Sequence, residues 1–538
     1  MKFLNWYLLI ILSVSLLMRV LYISYSPPSL NWDEASLGYN AYSILKTGSD
    51  EWGRKLPLTF EAFGDYKLPG YIYSLVPFLF IFDLSDFSVK IPSILSGFLS
   101  TLLIYLLVKK VTKNNSWAYL ASLLFAFSPW NIFLSRIALE ANLALFLFIC
   151  GLYFLFTGLE KKSHLILSSI FFGITLFAYN SARVFVPLFL LGFYVIYYKH
   201  LWKIKKTFLI SLAVFGIFLT AAFYLAVSRD SSSRYYWVSI LDQGAISYLD
   251  NARNTSTLPG VLTNLIYNRY GYFLTNFLIN YFSHFSVQFL FINGGSNFQF
   301  SLPNFGLMYL VELPFFILGL YKLKDFGKAG KVFLLWMLLA PIPAAITRES
   351  PHALRSIFLS GVIQVISAVG FVAVLDKAKN FSKSIRNIFL LGYLVLVIFS
   401  VSFFSYRYFT DYPEKYSQSW QYGYKQAIAE VGKYGAGESI YFTKKYGEPH
   451  IFYLFYTKYD PDKYQNNPGL LRYENSNWRW VDRLDNLTFL NDWEIKDKLK
   501  ESSNAVLITS PGNYPDNKEV LKSIYFLDGS KAFDVVKF

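Results

Sequence analysis

Cysteine is almost absent from this chain: one residue, Cys150, in 538. A lone thiol inside an apolar run supports neither a disulfide framework nor a cysteine-based metal site, and reads as simple packing. Histidine is scarce too, at five residues, and no His/Cys group has metal-ligand spacing, so no transition metal is expected. Charge is the third scarcity. Only 16% of residues are Asp, Glu, Lys or Arg, against 54% hydrophobic and 20% aromatic. That balance excludes an ordinary soluble protein of this length and indicates a polytopic membrane protein lying in a lipid bilayer. A net charge of +15 would suggest nucleic acid in a soluble chain. Here the basic residues sit in short loops between apolar runs, where they set topology, and no nucleic-acid partner is expected.

What is present is a succession of apolar runs. The first, from Phe3 to about Tyr25, is long enough to span the roughly 30 Å hydrocarbon core, and "SYSPPSLNW" after it offers no small-x-small cleavage site. It reads as a retained transmembrane helix. Further runs follow at 91–108, 116–134, 141–159, 163–179, 184–198, 207–228, 304–321, 331–347, 354–375 and 387–406, roughly eleven spans in all. Alternate connections are Lys-rich: 109–115, 160–164, 198–206, 321–331 and 376–386. The positive-inside rule places these in the cytoplasm with the N-terminus, and puts the loops 26–90 and 229–303 and the chain from 407 outside. The expected organisation is an all-α membrane domain, 1–406, followed by a smaller extracytoplasmic α/β domain, 407–538. In the latter, "YGYKQAIAEVGKY" and "NKEVLKSIYF" read as helix-like, and "SIYFT" and "AVLITS" as strand-like.

The charges that do occur gather on the external face. "NWDEASLGYNAYSILK" places Asp33 and Glu34 at the start of a helical pattern, where Asp33 reads either as an N-cap or as a functional acid. "FGDYKLPGYIYS" brings Tyr66 and Lys67 into the same loop, ahead of an aromatic amphipathic segment suited to the interface. "SRIALEANLALFLF" sets Glu140 at the mouth of a span, where an acid is costly unless it faces a cavity or a partner; Arg136, four residues earlier, is one such partner. "ITRESPHALRS" adds Arg348, His352 and Arg355 on a short external connection. Carboxylates and cations converging on one face are the parts needed to move a group off a lipid phosphate: an acid takes the acceptor's proton while cations stabilise the leaving phosphate. A lipid-linked sugar transporter, an oligosaccharide ligase or en bloc transferase, and a membrane-anchored binding protein are the alternatives. The aromatic "YENSNWRWVDRL" in the external domain reads equally as sugar-stacking surface or as packing.

In their order along residues 1 to 400, the Asp33-Glu34 pair, "YKLPGYIY", "VKIPSILSG", "SRIALEANLALFLF" and "AYNSARVFVPLFL", which contains Arg183, resemble the GT-C fold glycosyltransferases. The protein O-mannosyltransferases and the aminoarabinose transferases of lipid A are the nearest likenesses. The resemblance implies a polyprenyl-phosphate-linked sugar donor, a lipid, glycan or protein acceptor, and inverting transfer on the outer face of a bacterial plasma membrane. It implies Asp33 as the base, the acid at Glu140 completing the site and Lys67 on the donor phosphate; Glu34 joins the candidate catalytic acids, Arg348 and Arg355 the candidate phosphate ligands, and Tyr66, Arg136, Arg183 and His352 are further candidates. It implies no organic cofactor; a divalent cation at Asp33, Glu34 or Glu140 is open, since related oligosaccharyltransferases use one. Lys90 stands where the family usually has Arg.

Overall fold

The computed structural model describes residues 5–227, 238–433, 438–475, 478–499, 505–515 and 517–537. The chain folds as two compact units. One comprises Met1–Leu21, Ser93–Ser135 and Leu139–Phe404; the other comprises Tyr22–Pro92, Arg136–Ala138 and Ser405–Phe538.

The first unit is helical. Lipid offers backbone groups no water, so long apolar runs satisfy their hydrogen bonds internally as helices. Among the described residues seven helices are long and apolar enough to cross a membrane, or eight if Asn115–Phe127 and Pro129–Ser135, bent by 57°, form one span. This falls short of the eleven expected. Trp6–Val20 and His164–Ala178 are apolar helices of 15 residues each, about 22 Å long at 1.5 Å per residue. The two runs expected at 304–321 and 331–347 lie in one helical stretch, Leu310–Ala345. A 3-10 turn, Leu323–Phe326, and Gly327 at φ +54° interrupt it at the Lys-rich connection. The Leu313–Lys322 and Val362–Ala378 helices meet through glycines: a Cβ on Gly319 would strike the Ile366 carbonyl at 1.9 Å, and one on Gly370 the Phe315 carbonyl at 1.8 Å. Small residues let helix backbones approach where lipid provides no hydrophobic drive.

The second unit contains a seven-stranded mixed sheet. Besides a hairpin of β1 (Phe60–Ala62) and β2 (Asp65–Lys67), its strands are β3 (Ser439–Thr443), β4 (Leu471–Asn475), β5 (Trp478–Leu484), β6 (Leu487–Leu490), β7 (Ala505–Thr509), β8 (Val520–Tyr525) and β9 (Lys531–Lys537). The order is β4-β5-β6-β3-β7-β9-β8, with β3 parallel to β6 and β7 and the other pairs antiparallel. β7 is buried along its whole length, as a central strand covered on both faces should be. On one face Tyr424 stacks on Phe452 (ring centroids 4.3 Å apart) and Phe442; elsewhere Ile495 packs with Leu490, Leu507 and Val536. "NKEVLKSIYF" is strand β8 rather than the expected helix. Its register with β9, Ser523 opposite Asp534 and Ile524 opposite Phe533, supplies ladder bonds that outweigh a weak helical period.

Residues 22–92 belong to this same unit. The Trp32–Thr47 helix packs so closely that a Cβ on Gly38 would lie 2.7 Å from the Phe455 ring and from Val89. Tyr39 donates to the Tyr459 carbonyl (3.1 Å), the Trp32 amide to Gln421 Oε1 (2.8 Å), and Gln465 Nε2 to the Asp50 carbonyl (2.8 Å).

Candidate active site

The Asp33 site begins with a helix cap. Asn31, in extended conformation, accepts the Glu34 amide on its side chain (2.9 Å), and Glu34 Oε2 accepts the Asn31 amide (3.1 Å). This reciprocal box satisfies two orphan donors of the first turn. Asn31, not Asp33, is therefore the cap, and the N-cap reading of Asp33 falls. Its carboxylate, 31% exposed, instead lies 2.8 Å from Lys67 Nζ.

Lys67 ends the β1–β2 hairpin, and its side chain is 11% exposed between Asp33 and Asp65 Oδ2 (3.4 Å). Tyr66 precedes it, partly buried, its amide donating to Asp65 Oδ1 (2.8 Å). The hairpin is pinned from distant sequence. Glu61 pairs with Arg54 and with Arg479 Nε (2.7 Å), and the Phe63 carbonyl accepts the Arg479 amide (2.9 Å). Phe63 also stacks on Trp478 at 5.9 Å and 17°, while Trp478 Nε1 donates to Glu448 (2.6 Å). This part of the aromatic segment is therefore packing.

Glu34 is wholly buried, and its Oε1 accepts the Ala138 amide (2.7 Å). Burial pushes its carboxyl up, opposed by the Lys90 charge and the two backbone amides. With both oxygens on backbone amides, Glu34 positions the helix start rather than facing a substrate. Arg136 is equally buried: Nε and Nη2 donate to the Ser26 carbonyl (3.1 and 2.7 Å), and its guanidinium lies over Phe409 at 4.9 Å. It braces the loop ahead of Asn31.

The remaining candidates lie in the first unit. Glu140 is the first residue of the Glu140–Gly158 helix and 8% exposed, an acid at the helix end whose dipole favours it. Arg348, 58% exposed, pairs with Asp242 (2.8 Å). Arg355 donates to Thr347 Oγ1 (3.0 Å) and lies 3.5 Å from Glu349, as does His352 Nε2. Arg183 and Arg355 line one cavity of about 310 Å³ with Tyr179, Asn180 and Thr347, so two cations far apart in sequence meet. A second cavity, about 820 Å³, is lined chiefly by apolar side chains, among them Phe291, Phe305, Phe315, Tyr393 and Phe399.

Sequence reasoning passed over Arg19. It is fully buried in the Trp6–Val20 helix, with Nη1 donating to the Ser15 carbonyl (2.7 Å) and Oγ (2.8 Å), Nη2 to Asn131, and Nε to Ser135 (3.3 Å). An arginine inside an apolar run was its legible signal.

Residues 68–224 match the protein family described as dolichyl-phosphate-mannose-protein mannosyltransferase. No curated protein matches the chain significantly. Among solved structures the chain is similar to ArnT from Cupriavidus metallidurans bound to undecaprenyl phosphate, at 12% identity and TM-score 0.56, over 99% of this chain and 98% of that one. It is also similar to the Archaeoglobus fulgidus oligosaccharyltransferase in the apo form (13% identity, TM-score 0.51, 84% of this chain and 63% of that one). The archaeal oligosaccharyltransferase AglB from Archaeoglobus fulgidus, in complex with an inhibitory peptide and a dolichol-phosphate, aligns at 12% identity and TM-score 0.50 over 84% of this chain and 64% of that one. At these identities the likeness is one of fold. The chain thus has the GT-C fold with several helices long and apolar enough to cross a membrane, and its residues 68–224 match the mannosyltransferase family model.

Proposed function

We propose that this protein is a membrane glycosyltransferase that moves a sugar from a polyprenyl-phosphate donor to a lipid, glycan or protein acceptor on the external face of a bacterial plasma membrane. The observation that carries the reading is the Asp33–Lys67 pair: a partly exposed carboxylate, freed from capping by Asn31, 2.8 Å from a nearly buried ammonium. In a single displacement Asp33 accepts the proton of the acceptor as the acceptor's heteroatom bonds to the anomeric carbon. The bond from that carbon to the phosphate oxygen breaks, the configuration inverts, and Lys67 stabilises the charge left on the phosphate. Arg183 and Arg355 supply further cationic surface in their own unit, and the apolar cavity of about 820 Å³ suits an isoprenoid chain. Undecaprenyl phosphate and dolichol-phosphate in the similar ArnT and AglB structures support a lipid-linked donor.

A divalent cation at this acidic pair does not fit the donor set. Glu34 spends both oxygens on backbone amides, Asp33 faces an ammonium, and among the described residues no group of three or more His, Cys, Asp or Glu could hold a metal.

The test is transfer of radiolabelled sugar from a panel of polyprenyl-phosphate sugars in membranes, comparing wild type with Asp33→Asn. Loss of a general base predicts a fall of about 10²- to 10⁴-fold at normal expression. Equal transfer would remove Asp33 from the mechanism. Transfer from oligosaccharide donors alone would favour the en bloc reading.

A further inference from the structure

The second unit contains a polar cavity of about 420 Å³, whose lining includes neither Asp33 nor Lys67, formed by Ser29, Asp86, Lys90, Tyr422, Gln426 and Tyr456 among others. Its volume falls within the range of about 300 to 1,000 Å³ typical of small-ligand sites. Its cations are engaged. Lys90, 2% exposed, lies within electrostatic reach of Glu34, and Lys425 pairs with Asp86 at 2.6 Å. With Lys425 held by Asp86 and Lys90 buried beside Glu34, the lining offers no pair of cations with which to clamp an anion.

Hydrogen-bonding capacity is what remains. Lys90 Nζ, with three donors, makes a long bond of 3.4 Å to the Ile23 carbonyl. Gln426 Oε1 is buried and has no hydrogen-bond partner, a costly state unless a ligand donor fills it. The Tyr456 side chain, which lines the cavity with Ser29 and Asp86, and the Tyr422 ring complete the wall. Donors, an orphaned acceptor and aromatic side chains in one enclosure match an uncharged ligand rich in hydroxyls and carrying one apolar face. We propose that this cavity binds a neutral sugar ring of the glycan acceptor. The inference rests on the glycosyltransferase reading and specifies an acceptor subsite for it.

The test uses the full chain in detergent and saturation-transfer NMR with methyl α-mannopyranoside, methyl β-glucopyranoside and N-acetylglucosamine, with inorganic phosphate as the anionic control. The expected result is that at least one sugar binds, that phosphate does not displace it, and that Gln426→Leu weakens it about tenfold, the worth of one satisfied acceptor. Tyr422→Ala, as a second variant, weakens it too, and thermal unfolding shows that both remain folded. No sugar binding, displacement by phosphate, or binding unmoved by both substitutions would overturn the proposal. Release of sugar from the polyprenyl-phosphate panel is followed in the same preparations. Turnover without sugar binding sinks the cavity alone; sugar binding without turnover sinks the proposed function alone.

Discussion

At Asp33 the decisive fact is what its neighbour does. Asn31 takes the capping role that an acid near a helix start would ordinarily fill, which leaves the Asp33 carboxylate for Lys67. Glu34, adjacent in sequence, points into the protein and is spent on backbone amides. Two adjacent acids thus part company through a single residue step of about 100° around the helix. A different acid in the same loop gives a pH signature. Glu51 is buried, accepts Asn40 Nδ2 at 2.9 Å, and burial pushes its carboxyl up to about 8 from an ordinary value of 4.5. A folded pKa above the unfolded one means stability that is full below about 4.5 and lost as pH rises through about 8. Glu51→Gln, which cannot ionise, should therefore gain on wild type across that window by at most about 1.4 kcal/mol per pH unit, read as a widening gap in thermal unfolding. A constant gap would refute the buried-acid assignment.

At the scale of elements, the Asp33–Lys67 distance is set by one helix start and one hairpin. Each is held by its own device, the capping box at Asn31 and the Glu61 clasp on Arg54 and Arg479. Asn31→Ala should cost about 1 kcal/mol of stability through the lost cap. It should also lower transfer out of proportion to that loss, because displacement of a reacting group by about 1 Å can cost about 10²-fold. Asn31→Ser, which restores a capping oxygen, should recover most of both. Unfolding curves and initial rates on the two variants check this; a stability loss with unchanged rates would show that the cap does not position Asp33. The cap could have been read from "NWDE", where Asn and Glu stand three residues apart. The hairpin clasp could not, since Arg479 lies 418 residues from Glu61.

At the scale of the whole molecule the Lys-rich loops predict sidedness. Asn114 and Asp528 are exposed, and the single native cysteine, Cys150, is buried. In a Cys150→Ala background, Asp528→Cys should react with a membrane-impermeant maleimide on intact cells, and Asn114→Cys only after permeabilisation. Labelling of both from one side would reverse the topology drawn from positive charge. Span number is a separate matter. Hydropathy finds the runs, whereas helix breaks such as Ser128, between Phe127 and Pro129, and Gly327 decide which runs are long, bent or interrupted.

By itself the sequence determined what composition and local pattern control: a membrane protein, because so few charges leave most of the chain no other solvent; apolar helices; a mixed α/β tail; and the GT-C resemblance carried by ordered motifs. It also singled out Asp33 and Lys67. Only the tertiary structure decided that these two pair, that Glu34 and Arg136 are buried braces, and that Arg183 and Arg355 share a cavity. Local pattern records which residues follow one another. Which side chains meet depends on long-range packing, such as that of residues 22–92 within the same compact unit as residues 405–538, and no short stretch of chain encodes that.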